Sequence, residues 1–92
     1  MNFEWDSAKD IINQEKHGVF FFDAQKAFAD PRRVIAIDRS HSTRREKRFF
    51  CFGKIGDRVI TVRFTYRENK IRIYGAGFWR EGRQRYEKEN RL

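Results

Sequence analysis

Arg48, Arg63 and Arg72 occupy three neighbouring strand-like runs, and their spacing puts them on one side of a sheet. From Lys47 to Ala76 the chain reads KRFFCFGKIGDRVITVRFTYRENKIRIYGA, with short turns between the runs. Alternate residues of a strand point to opposite faces. If Gly56-Asp57 and Glu68-Asn69 are two-residue hairpin turns, Arg48, Phe50, Phe52, Thr61, Arg63, Thr65, Arg72 and Tyr74 share a face. Phe49, Cys51, Val62, Phe64, Ile71 and Ile73 then share the other. A guanidinium offers a planar fork of donors and a charge that is never lost, which suits a phosphate. RNA can be cut by its own 2′-hydroxyl once its phosphate is aligned and the developing charge is stabilised. The chemistry this face could do is phosphodiester cleavage that uses charge rather than a metal; the plainer readings are a solvated basic face that supports solubility, or a surface that meets an acidic protein.

Further groups complete that chemistry. Glu46 opens the strand that carries Arg48 and is a candidate base, although an edge-strand ion pair would explain it equally. His41 lies in a polar loop near the same sheet end and can act as acid or base, or simply be solvated. Tyr86 is a candidate proton donor or a core residue, and Phe50 and Tyr74 are candidate base-stacking rings. Arg45 and Arg80 extend the basic surface for RNA. His17, at a helix end where free carbonyls await a donor, reads as structural.

Other chemistries find less support. His17 and His41 are far apart, and no cysteine or histidine stands at zinc spacing beside either, so no metal or cofactor is expected. Cys51 is expected to face the core as a small apolar residue in a reducing compartment. Gly75-Ala76-Gly77 lacks the Lys-Ser/Thr of a phosphate loop and reads as a tight connection.

The elements that must position these groups follow from local signals. Asn2 to Trp5 is an extended arm. Asp6 caps a helix beginning at Ser7, with Ala8, Ile11, Ile12 and Glu15 as a narrow apolar stripe, and Gly18 ends it. A second helix spans about Phe21 to Ala29, ended by Asp30-Pro31. Arg32 to Asp38 reads as a strand, Arg39 to Arg45 as a polar loop, and Trp79 to about Asn90 as a last helix with Trp79, Gly82 and Tyr86 on one side. The expected fold is α+β: two N-terminal helices on the apolar face of a mainly antiparallel sheet of about four strands, with a C-terminal helix. The arginine face is then left open.

Composition narrows the partner. The 92 residues allow one domain spanning 1–92, and ten phenylalanines argue against disorder. A net charge of +8 implies an anionic partner, with nucleic acid ahead of an acidic protein or an anionic membrane. No spanning-length apolar run and no signal-peptide pattern are present, so the chain is expected to be cytoplasmic.

Several blocks resemble the BrnT toxins. Phe3-Glu4-Trp5-Asp6, Lys9, Asn13 and Lys16-His17-Gly18-Val19 resemble the family's opening, as do Phe21, Ala24, Phe28 and Asp30-Pro31. His41-Ser42, Glu46, Arg48 and Gly53 resemble its central block, and Ile71-Arg72-Ile73 with Tyr86 its ending. The resemblance implies a RelE-like fold, metal-independent endoribonuclease activity and growth arrest through lost translation. It also implies a ribbon-helix-helix antitoxin partner in a 2:2 heterotetramer that represses its own promoter. The chain departs from the family where many members read Ser-Ala-Arg and this one has Gly75-Ala76-Gly77. Either Arg80 or Arg63 replaces that arginine, or activity is weaker. Phe20 and Phe22 add apolar surface for the antitoxin or a second copy.

The leading expectation is an endoribonuclease toxin. Its rivals are a non-catalytic nucleic-acid-binding module, which would bind in a salt-sensitive way without cleaving, and an interaction protein whose basic face docks an acidic partner.

Overall fold

Two tight turns fix the centre of the molecule. In the computed structural model, which describes residues 1–92, Ile55 pairs with Arg58 and Arg67 with Lys70, closing two-residue loops at Gly56-Asp57 and Glu68-Asn69. Gly56 has φ 65°, and Glu68 and Asn69 have φ 52° and 64°. Left-handed residues at these positions give the turns whose twist matches that of the strands.

The hairpins lie within the order β1 (Asn2–Trp5), α1 (Ser7–His17), α2 (Phe21–Ala24), β2 (Val34–Ile37), β3 (Arg48–Ile55), β4 (Arg58–Arg67), β5 (Lys70–Gly77) and α3 (Arg80–Glu89). A 3₁₀ segment, Gln25–Ala29, continues α2. The architecture is α+β, and the sheet order is β1-β5-β4-β3-β2. The sheet has five strands rather than about four, because the N-terminal arm joins it. Phe3 aligns with Ile71 and Trp5 with Ile73, parallel to β5. Phe3 and Trp5 place their rings against Phe28 and Phe21, at 5.2 and 6.2 Å between centroids. That partner is far along the chain, so no local pattern announces it.

The expected apolar face is the core. Cys51, Val62, Phe64, Ile71 and Ile73 are buried there with Ile60 and Ala76, and Phe49 packs against them. Burying each large side chain stabilises the fold by roughly 1.5–3 kcal/mol. Burial pushes the Cys51 thiol up to about 12, leaving it inert. Tyr74 and Gly75 together oppose Arg63, a bulge that brings Ala76 back to the core side.

The N-terminal helices depart from expectation. Asp6 caps α1 by accepting from the N–H groups of Ala8 and Lys9 at 2.8 and 3.1 Å, and Gly18 ends it at φ 70°. Its apolar stripe, however, faces outward: Ile11 and Ile12 are 58% and 49% exposed. The inward side carries Asn13, whose amide donates to the carbonyls of Ala76 (3.0 Å) and Val19 (2.9 Å) and accepts from Ala76 N–H at 3.1 Å. β1 pairs with β5 only as far as Ile73, so Ala76 has no strand beside it there. Asn13 substitutes for that missing strand. The second helix is one α-helical turn followed by 3₁₀ geometry. Phe21, Ala24 and Ala27, all buried, repeat every three residues, the period of a 3₁₀ helix.

The arginine face is not fully open. α3 packs on its β2–β3–β4 end, where Tyr86 is buried beside Phe52 and Val59. A Cβ on Gly82 would collide with Thr61 Oγ1, so the close approach requires glycine. The half left uncovered carries Arg48, Arg63, Arg72 and Tyr74. No helix is long and apolar enough to cross a membrane.

Replacing Asn13 by Ala orphans three buried backbone groups, each worth about 1 kcal/mol or more. Thermal denaturation followed by circular dichroism is expected to show a fall in Tm of at least ~10 °C. A fall within a degree or two would show that α1 is held in another way.

Candidate functional site

The site begins where β2 ends. Asp38 N–H donates to the Arg48 carbonyl at 2.8 Å, which continues the strand ladder by one step. The chain then turns, and Ser42 Oγ locks the turn by donating to the Asp38 carbonyl (2.7 Å) and accepting from Arg48 N–H (2.9 Å). This buries the Asp38 side chain at 2% exposure and brings His41 back over it. Asp38 Oδ2 lies 2.7 Å from His41 Nδ1, and Oδ1 accepts from Ser40 Oγ at 3.1 Å.

The other ring nitrogen, His41 Nε2, is 3.4 Å from an Arg63 terminal nitrogen. Arginine can only donate, so Nε2 accepts and Nδ1 carries the proton given to Asp38. Burial alone would raise the Asp38 carboxyl, but hydrogen bonds from His41 and Ser40, with the charge of Arg63, hold it below the ordinary carboxylate range. An ionised, buried carboxylate therefore orients an imidazole whose free lone pair faces a guanidinium.

Arg63 and Arg48 both lie over the ring of Tyr74, at 5.2 and 4.3 Å from its centroid. Tyr74 is one of the two bulge residues, and these two cations lie against its ring. Its hydroxyl is buried without a partner, and burial pushes its pKa up against the pull of Arg63 and Arg48. Gly75 leaves room for the Arg63 stem, which would lie 3.3 Å from a Cβ there.

Both oxygens of Glu46 are engaged, by Arg48 Nε at 3.0 Å and an Arg67 terminal nitrogen at 3.1 Å. The hydrogen bonds from Arg48 and Arg67 hold its carboxyl low, so it orients Arg48 rather than standing free as a base. Arg72 aligns with Thr65, which aligns with Arg48, but its guanidinium donates to Glu4 at 3.2 Å on the β1 side. Tyr86 is elsewhere: its hydroxyl donates to Asp30 Oδ2 at 2.6 Å. Burial and that bond push it up to about 12. Arg45 lines a groove with Glu46 and Arg67, and Arg80 lines another with Arg58 and Arg83.

A cleft of about 430 Å³ opens beside His41 and Arg63. Phe50 and Phe52 form part of its floor, and Trp79, Glu81 and Arg85 bound it from the start of α3. The Trp79 ring lies on Gly77, where a Cβ would come within 2.6 Å of it, and meets the His17 ring edge-on at 5.0 Å. Gly77 is thus the seat of an indole. No three His, Cys, Asp or Glu side chains gather where they could hold a metal ion.

Sequence reasoning passed over Asp38, Glu81 and Arg85. Asp38 did carry a signal, three residues before His41 in a turn with two serines, but only the fold shows it to be buried.

The chain matches the ribonuclease toxins of type II toxin–antitoxin systems over residues 5–81. Within that class it belongs to the BrnT family, the toxin half of type II toxin–antitoxin pairs, whose partner is a protein antitoxin. The matched span includes Asp38, His41, Arg48, Arg63 and Trp79 and stops short of Tyr86. No curated protein matches the chain.

Because the folded state lowers the Asp38 pKa, the stability this group contributes is complete above its unfolded value, near 3.9. That contribution is lost as pH falls through the lower folded value. Tm measured from pH 6 to 2 is expected to drop below about pH 4, with a shallower drop for Asp38→Asn. Asp6, Asp30 and Glu46 supply the remaining slope. Parallel acid limbs in the two proteins would contradict the assignment.

Proposed function

We propose that this toxin is a metal-independent endoribonuclease that cleaves through the substrate's 2′-hydroxyl and so arrests translation and growth. The observation that carries this reading is the chain Asp38–His41–Arg63, with an imidazole oriented from one side and a guanidinium at its free nitrogen. His41 Nε2 takes the 2′-hydroxyl proton while the 2′-oxygen attacks phosphorus. Arg63 and Arg48 bind the non-bridging oxygens and stabilise the charge of the pentacoordinate state. The bond from phosphorus to the 5′-oxygen breaks, water protonates that oxygen, and the products are a 2′,3′-cyclic phosphate and a 5′-hydroxyl. Asp38 holds the ring in the required tautomer. Arg72, Arg45 and Arg80 add backbone contacts along the RNA, and Phe50 supplies an apolar surface for a base.

Family membership supports a RelE-like fold, action in the cytoplasm and a ribbon-helix-helix antitoxin in a 2:2 complex. That complex would bind operator DNA through the antitoxin and repress its own operon. The exposed Ile11, Ile12, Phe20 and Phe22 are apolar surface suited to that partner.

Purified protein is expected to cleave bulk RNA with EDTA present. His41→Ala should slow cleavage by roughly 10²–10⁴-fold, and Arg48→Ala and Arg63→Ala by at least about tenfold, each variant remaining folded by circular dichroism. Salt-sensitive binding without cleavage by the parent protein would instead favour a nucleic-acid-binding module. Full activity in His41→Ala would remove the proposed base.

A further inference from the structure

We propose that the Trp79–Glu81 end of the cleft is a nucleobase subsite selective for guanine. This rests on the ribonuclease reading, with His41 and Arg63 holding the adjoining phosphate at the other end of the same cleft.

Glu81 is the only carboxylate lining the cleft, and it forms neither an ion pair nor a hydrogen bond. The residue is exposed to solvent at the mouth of the cleft. Arg85 lies four residues on along α3, the spacing at which a glutamate and an arginine ordinarily pair. Instead the Arg85 guanidinium lies 5.6 Å from the centre of the Phe52 ring. The carboxylates of the sheet face itself, Asp38, Glu46 and Glu4, are each engaged by a neighbouring side chain, His41, Arg48 and Arg72 in turn. An unpaired carboxylate in a cleft that receives phosphates repels the backbone, so it must meet donors elsewhere on the nucleotide.

Guanine alone presents two adjacent donors, N1–H and the N2 amino group, to a carboxylate's two oxygens. Adenine and cytosine place an acceptor beside their single amino group, and uracil flanks its N–H with two carbonyls. Trp79 supplies the stacking surface. Its ring is seated on Gly77 and braced by His17, so the face is already in place before a base arrives. A carboxylate in the first turn of a helix also favours the helix dipole, and for that reason base preference, not stability, is the quantity to read.

The test maps the ends of cleaved random-sequence RNA and titrates GMP, AMP, CMP and UMP against tryptophan emission, with Trp79→Phe assigning the signal. The expected result is guanine enriched on the order of tenfold at one position beside the cut, and GMP binding tighter than the other nucleotides by a similar factor. Glu81→Gln should lose both preferences. Equal use of all four bases by the parent protein, an unchanged preference in Glu81→Gln, or loss of cleavage at every base alike in that variant would overturn the subsite. Guanine-selective binding without any cleavage would support the subsite and remove the ribonuclease mechanism. Cleavage without base preference would do the reverse.

Discussion

Strand alternation across β3, β4 and β5 is the constraint on which both sides of this molecule depend. One register places Cys51, Val62 and Phe64 in the core and Arg48, Arg63 and Phe50 on the opposite face. A shift of one residue would bury arginines and expose phenylalanines. The two tight turns prevent that shift. The bulge at Tyr74 and Gly75 then modifies the pattern at one point, keeping Ala76 in the core while Tyr74 lies beneath two guanidiniums.

Electrostatics build on that register. In a chain of net charge +8, cations on one face repel one another and would splay without counter-charges. Asp38 holds His41, Glu46 holds Arg48 and Arg67, and Glu4 holds Arg72. Apart from buried Asp38, these pairs are partly exposed and each adds little to stability. Their effect is positional: they set the directions of groups whose free donors or lone pairs face outward. Glu81 stands outside this pattern, which is why it draws a different explanation.

Much of this was legible before the fold. The Asp6 cap, the Gly18 stop, the break before Pro31, both hairpins and the core face all depend on residues close in sequence, where a side chain meets its own backbone or its strand neighbours. The orientation of α1 was not legible, because Ile11 and Ile12 resemble a buried stripe while the inward side is chosen by Asn13 and its match to Ala76. The site was legible in part. His41, Arg48 and Arg63 come together, whereas Arg72 is drawn toward Glu4, Glu46 is fully engaged by arginines, and Tyr86 is held by Asp30.

From residue order alone came the strong positive charge, the α+β composition and the existence of an arginine-rich sheet face, since charge, turn chemistry and alternation are local properties. Tertiary packing alone decided how the His41 ring is oriented, how much of that face α3 covers, and what fills the space above Gly77. Those outcomes depend on side chains distant in sequence meeting at hydrogen-bond or van der Waals distance, and burial of a group such as Asp38 exists only once the chain has closed around it.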